Sequence, residues 1–129
     1  MKKKILVSIP ELENITIELD DAFSPKTCKD ILDSLPFSVN AHLWGEEIYT
    51  DESPISQAEE NAKALVDLND VAYWPNGKAI CLFFGSTPIG KKGEIKPYSP
   101  VNVVGKIIDS DKSVIKNFKE GTKITFQKS

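Results

Sequence analysis

His42, Trp44, Glu47 and Tyr49 crowd one short stretch, Trp44-Gly45-Glu46-Glu47-Ile48-Tyr49, just past the chain's single histidine. A carboxylate and an imidazole beside aromatic rings can bind an amine, a peptide or another polar ligand, and in principle can exchange a proton with it. A second aromatic segment, Tyr73-Trp74-Pro75-Asn76-Gly77-Lys78, holds the other tryptophan. Neither tryptophan lies inside an apolar run. Large rings next to turns and charges suit the wall of a cleft better than the middle of a core. On this reading Trp44, Tyr49, Tyr73 and Trp74 supply walls, and His42 and Glu47 orient a polar or cationic group. Lys78 is either a cation facing the cleft or a solvated strand-end lysine. A purely structural histidine and a solvated acidic face (Glu46, Glu47, Asp51, Glu52, Glu59, Glu60) are the competing readings.

Other features carry less chemistry. Gly85-Ser86-Thr87-Pro88-Ile89-Gly90-Lys91-Lys92 nearly matches a phosphate loop. Lys92 replaces the required Ser or Thr, and Gly93 and Pro97 oppose a following helix, so the match is read as chance. Asn14-Ile15-Thr16 fits a glycosylation acceptor but falls in a predicted strand. Cys28 and Cys81 have no paired-motif spacing and read as free thiols in a reducing compartment. One histidine and two scattered cysteines are a poor zinc ligand set, and no metal or cofactor is implied.

Composition sets the frame. The chain has 129 residues, enough for one domain with one hydrophobic core. Its net charge is −3, so no basic field exists for nucleic acid. All 16 basic residues are lysine, which removes chemistry that needs a planar, bidentate, permanently charged donor. Met1-Lys2-Lys3-Lys4 and the apolar residues after it imitate a signal peptide, but the run is short and Glu11 and Glu13 follow. No segment approaches a membrane span, and the expected location is the cytoplasm.

The elements that must position the aromatic segments are mostly short strands. Residues 4–9 and 14–19 read as a hairpin or a pair of neighbouring strands. Ser24 caps, and Pro25 opens, a helix reaching about Leu35. Residues 37–44 alternate cleanly: Phe37, Val39, Ala41 and Leu43 on a core face, and Ser38, Asn40, His42 and Trp44 on the other. Beyond Gly45 the pattern resumes, with Ile48 inward and Glu47 and Tyr49 outward. Residues 51–69 read as a loop with a short helix or an irregular edge strand. Strands are expected at 71–74, 79–84, 101–108 and 123–127, a loop at 85–99 and a short helix at 113–118. The sum is a small, mainly β, closed barrel with helices at its ends.

Trp44–Tyr49, Asp70–Gly85 and Val101–Ile107 together resemble a small prokaryotic family of cyclophilin-like proteins that has no assigned function. A looser likeness to the cyclophilins runs through Ser24-Pro25-Lys26-Thr27, Val103-Val104-Gly105-Lys106 and Lys123-Ile124-Thr125. The resemblance implies an eight-stranded barrel whose outer face carries the cleft. It assigns Asn40, His42, Trp44, Glu47 and Tyr49 to that surface, and Phe83 and Asn102 complete the candidate ligand-binding set. Cyclophilin isomerisation rests on an arginine, and this chain has none. The resemblance therefore implies the fold without the activity. Three readings follow. One is a protein that binds a small molecule or peptide. Another is an enzyme, either an atypical prolyl isomerase or one using His42 and Glu47. The third is an interaction module, with a homodimer formed through a strand edge or the 85–99 loop.

Overall fold

Ile15, Ile17 and Leu19 alternate with Thr16, Glu18 and Asp20, and in the structure the three apolar side chains are buried while the polar ones are half-exposed. Such a two-residue period is that of a β-strand with one face in the core. The structure is a computed structural model describing residues 1–110 and 112–129. The strands are β1 (Lys2–Ser8), β2 (Ile15–Asp20), β3 (Phe37–Trp44), β4 (Glu47–Thr50), β5 (Asp70–Trp74), β6 (Ala79–Phe83), β7 (Asn102–Ile107) and β8 (Lys123–Lys128). The helices are α1 (Pro25–Ser34) and α2 (Ser113–Asn117). The strands pair antiparallel into a closed barrel in the order β1-β2-β7-β5-β6-β4-β3-β8. This is the mainly β, eight-stranded barrel with two short helices that the sequence predicts. Closure leaves the described strands no free edge for pairing between copies.

The barrel interior is filled by Ile5, Val7, Ile17, Ala41, Ile48, Val71, Tyr73, Ile80, Leu82, Ile124 and their neighbours. A second apolar cluster lies outside the barrel wall: Ala72, Cys81, Phe83, Val101 and Val103, with Val66 beneath the irregular segment. Val71, Tyr73, Ile80 and Leu82 point in, and Ala72, Cys81 and Phe83 point out, so both faces of β5 and β6 are covered. That explains why 79–84 reads as a nearly continuous apolar run. Opposite Gly105 of β7, a Cβ atom would come within 2.2 Å of the Glu18 carbonyl oxygen, and β2 and β7 approach only because the side chain is missing.

Residues 51–69 have no helix and only two isolated bridges, Lys63 with Val101 and Val66 with Ile95. The segment is held from outside itself. Tyr73 donates its hydroxyl to the Ile55 carbonyl at 2.9 Å. The Asn102 side chain accepts from Glu60 N at 2.8 Å and donates to the Ala58 carbonyl and to Thr27 Oγ1, both at 3.0 Å. Glu60 in turn accepts from the backbone N–H groups of Lys26 and Thr27 and from the Thr27 hydroxyl, at 2.9–3.0 Å. The first turn of α1 is thus satisfied by a carboxylate far along the chain. Ser24 occupies the expected cap position, but its side chain makes no capping bond and donates to the Glu60 carbonyl oxygen.

A second staple closes β3 against the start of β8. Past Lys123 the ladder continues through Thr122 and Gly121, which bond Ala41 at 2.8 Å. Glu120 then takes over the ladder's role and accepts from Leu43 N at 2.9 Å. Its second oxygen meets His42 Nδ1, while His42 Nε2 meets Asp51 at 2.7 Å. Two carboxylates on one ring require two N–H donors, so His42 is an imidazolium here. The Glu120 hydrogen bond raises its pKa, burial opposes that, and the Asp51 hydrogen bond adds to the rise.

Two outcomes test these staples. Glu60→Ala is expected to cost about 1–2 kcal/mol in urea unfolding, as loss of a helix cap does. The stabilisation from charged His42 is complete below the usual imidazole range and fades as pH rises through its raised folded value. The difference in urea midpoint between the natural chain and His42→Gln should therefore shrink steadily from pH 5.5 to 8.5, a titration window on the order of that for an ordinary imidazole. A difference that stays flat, or grows, would refute the charged clamp.

Candidate functional site

The outer face of β3, β4, β5 and β6 carries a pocket of about 260 Å³. Trp44, Glu47, Tyr49, Trp74, Cys81, Pro97, Tyr98 and Val101 line it. The strand register explains the grouping. Trp44 pairs with Glu47, Tyr49 pairs with Cys81, and Trp74 pairs with Ala79 on the next hairpin. Residues opposite one another on adjacent strands share a face, so four strands deliver an aromatic and acidic set to one patch of barrel wall.

The loop after β6 turns that patch into a cavity. Glu46 pins its base: its oxygens take Ser86 N at 3.1 Å and Lys112 Nζ at 2.9 Å, and its backbone bonds Ser86 and Phe84. Gly45, at φ +61°, passes so close that a Cβ would sit 2.8 Å from Pro88 Cδ. Further on, Tyr98 stands between the two tryptophans, its ring centroid 6.2 Å from Trp44 and 5.7 Å from Trp74, both edge to face. Such pairs contribute about 0.5–1.5 kcal/mol each beyond the area they bury. The Trp74 indole N–H donates to Ser99 Oγ, fixing the ring from the same loop. Tyr98 itself is 71% exposed and forms the rim.

Glu47 lies at the bottom, only 4% exposed. Among the described residues no donor reaches its Oε1. Burial pushes its carboxyl up to about 7, against a smaller lowering by the Cys81 thiol. The thiol is raised well above its ordinary value, first by burial and then by the Glu47 charge. The walls offer neither a lysine nor a second carboxylate. The pocket therefore joins an aromatic enclosure to one desolvated carboxyl that has a free acceptor oxygen.

Of the residues the sequence nominates, Trp44, Glu47, Tyr49 and Trp74 meet in this pocket, and the others stand elsewhere. His42 borders it through Tyr49, with ring centroids 5.3 Å apart, but both its nitrogens are taken by Glu120 and Asp51, so it forms no acid–base pair with Glu47. Asn40 is exposed on the same strand, away from the lining. Tyr73 is fully buried inside the barrel, because its neighbour Trp74 takes the outward position and adjacent strand residues cannot share a face. Asn102 is likewise fully buried and binds the irregular segment. Phe83 is outward but covered within the second apolar cluster. Lys78 occupies a left-handed turn position, φ +51°, and its carbonyl accepts from Ser53. The sequence does not single out Pro97, Tyr98, Val101 or Cys81. Cys81 and Val101 stand in strand runs and Tyr98 in a Pro-flanked loop, and no local pattern marks them as walls.

No group of three or more His, Cys, Asp or Glu among the described residues is arranged to hold a metal ion. No helix among them is long and apolar enough to cross a membrane.

Comparison with known proteins agrees with this architecture. The cyclophilin-like family model matches residues 3–127. The solution structure of a hypothetical protein from Archaeoglobus fulgidus superposes with a TM-score of 0.84 at 37% identity, covering 99% of this chain and 95% of that one. McbB, solved in complex with tryptophan, superposes with a TM-score of 0.71 at 12% identity, covering 97% of this chain and 44% of that one, a likeness of fold alone. No curated protein matches the chain. With its barrel closed and nearly its whole length matched, the chain belongs to the cyclophilin-like family.

Proposed function

We propose that this chain binds a small molecule in the aromatic pocket above Glu47, without cyclophilin-type isomerase activity. The observation that carries the reading is the buried Glu47 oxygen with no donor, set in the floor of an otherwise apolar cavity. A buried polar atom left unpaired costs about 1–3 kcal/mol, and a ligand that supplies the missing hydrogen bond recovers it. The 260 Å³ volume lies just under the range of about 300–1,000 Å³ typical of drug-sized ligands, which favours a compact molecule over an extended peptide. A protein of the same fold is known in complex with tryptophan. That is compatible with an aromatic small molecule as ligand here. Against proline isomerisation stands the absence of arginine, which lysine cannot replace as a planar fork.

Both tryptophans of the chain line the pocket, so intrinsic fluorescence reads its occupancy directly. A panel of small aromatic compounds is expected to give at least one saturable change in tryptophan emission, lost in Trp74→Leu, while a protease-coupled proline isomerisation assay runs at the uncatalysed rate. Emission indifferent to the whole panel would end the proposal.

Glu47 also predicts a stability trade. A carboxyl raised from its ordinary range to about 7 binds a proton more tightly folded than unfolded, so it weakens the fold progressively as pH rises to that value. Glu47→Gln is therefore expected to melt higher than the natural chain at pH 8, by a margin equivalent to at most roughly 3 kcal/mol, and close to it at pH 5. A variant less stable at both pH values would show that Glu47 serves the fold.

A further inference from the structure

We infer that the ligand of this pocket carries a protonated primary amine on a flat aromatic body, the ammonium donating to Glu47 Oε1 and the ring lying among Trp44, Trp74 and Tyr98. This inference rests on the binding role proposed above and names the chemical class of the ligand.

Four observations narrow the class. The first is charge. Glu47 pairs with Phe83 of β6, its carboxyl meets the Cys81 thiol two residues along that strand, and the Tyr49 ring stands on its own strand. Trp44 faces it from β3, and Tyr98 covers it from the loop. None of these is a cation, so when Glu47 is ionised a ligand is the source of compensating positive charge in this pocket. A carboxylate or phosphate ligand would meet repulsion and no basic group in the lining.

The second is the hydrogen bond. Oε1 is the oxygen without a donor, and it needs an N–H or O–H, which a quaternary ammonium cannot provide. A guanidinium prefers two free carboxylate oxygens in a fork. One unpaired oxygen in a narrow floor suits one of the three N–H donors of a primary ammonium better.

The third is the enclosure. Trp44, Tyr49, Trp74 and Tyr98 present ring faces and edges around the space. Aromatic faces attract a cation and stack on a planar body. The Trp44–Tyr98 and Trp74–Tyr98 contacts are edge to face, so the rings are angled and form a box rather than a closed stack.

The fourth is the contrast with the adjacent residue. Glu46 has Lys112 and Ser86 on its oxygens and needs nothing further, whereas Glu47, one position along, is buried in the pocket floor with an empty acceptor. Glutamine or leucine would fill a purely structural position there at lower cost.

The test is calorimetry at pH 8 with four matched probes: tryptamine, its N,N,N-trimethyl derivative, 3-methylindole and indole-3-propionate. A charge-assisted hydrogen bond of about 1.5–3 kcal/mol corresponds to roughly tenfold or more in affinity. Tryptamine is expected to bind at least about tenfold tighter than each of the other three. That preference should disappear in Glu47→Gln, whose folding is checked by its own cooperative melt. It should also weaken toward pH 5.5 as Glu47 takes up its proton. Trp74→Leu should weaken tryptamine and 3-methylindole together. If the trimethyl derivative or 3-methylindole binds as tightly as tryptamine, or the preference survives Glu47→Gln, the amine assignment is overturned while the pocket's binding role stands. If none of the four probes binds and a wider aromatic panel leaves tryptophan emission unmoved, both readings fall.

Discussion

A closed barrel forces every strand residue to choose between an inside and an outside, and the rest of this molecule follows from that division. Eight strands close without an edge, and apolar side chains pack the interior among the described residues. The candidate site is built on the outer wall. Here the wall is thickened by a second apolar cluster, and the loop after β6 folds back over it. The space left between wall and loop is the pocket. Its depth depends on Glu46, which ties the loop's base to the β3–β4 turn, and on Tyr98, which bridges the two tryptophans at the rim.

Two consecutive glutamates show how the same division separates scaffold from site. Glu46 lies in the turn, where Lys112 holds its carboxyl below the usual range, against an opposing desolvation and with help from Ser86. Glu47 begins β4, faces outward and is roofed by aromatic rings, so burial raises its carboxyl. One charge is spent on architecture, and the other is left uncompensated in a low-dielectric space. An uncompensated buried acid is a poor choice for stability and a suitable one for recognising a cation.

Much of this was legible in the residues. The alternation from Phe37 to Trp44 placed Val39 and Ala41 in the core and Trp44 on the opposite face, as the structure has them. Residue type and setting single out Trp44, Glu47, Tyr49 and Trp74, and they share one pocket. The same period-two rule, applied to β5, separates Tyr73 from Trp74, although the two looked like one aromatic patch. Ser24 had the right type and position for a cap, yet the capping oxygen comes from Glu60, whose approach depends on how residues 51–69 lie across the barrel end. Those residues show no periodicity of their own because Tyr73, Asn102 and α1 hold them. His42 and Glu47 looked like partners on one face, but Glu120 arrives from the turn before β8 and takes the imidazole.

The sequence by itself determined which residues of β2 and β3 face in and which face out, because strand alternation is local and needs no knowledge of the partner strand. It also determined the chain's inability to present an arginine, and it carried the family. Only the tertiary structure decided which outward residues are covered, which carboxylate meets which cation, and that Glu47 Oε1 is left without a donor. Those outcomes depend on contacts between segments distant in the chain, and hydrogen bonding and desolvation respond to that spatial neighbourhood rather than to sequence order.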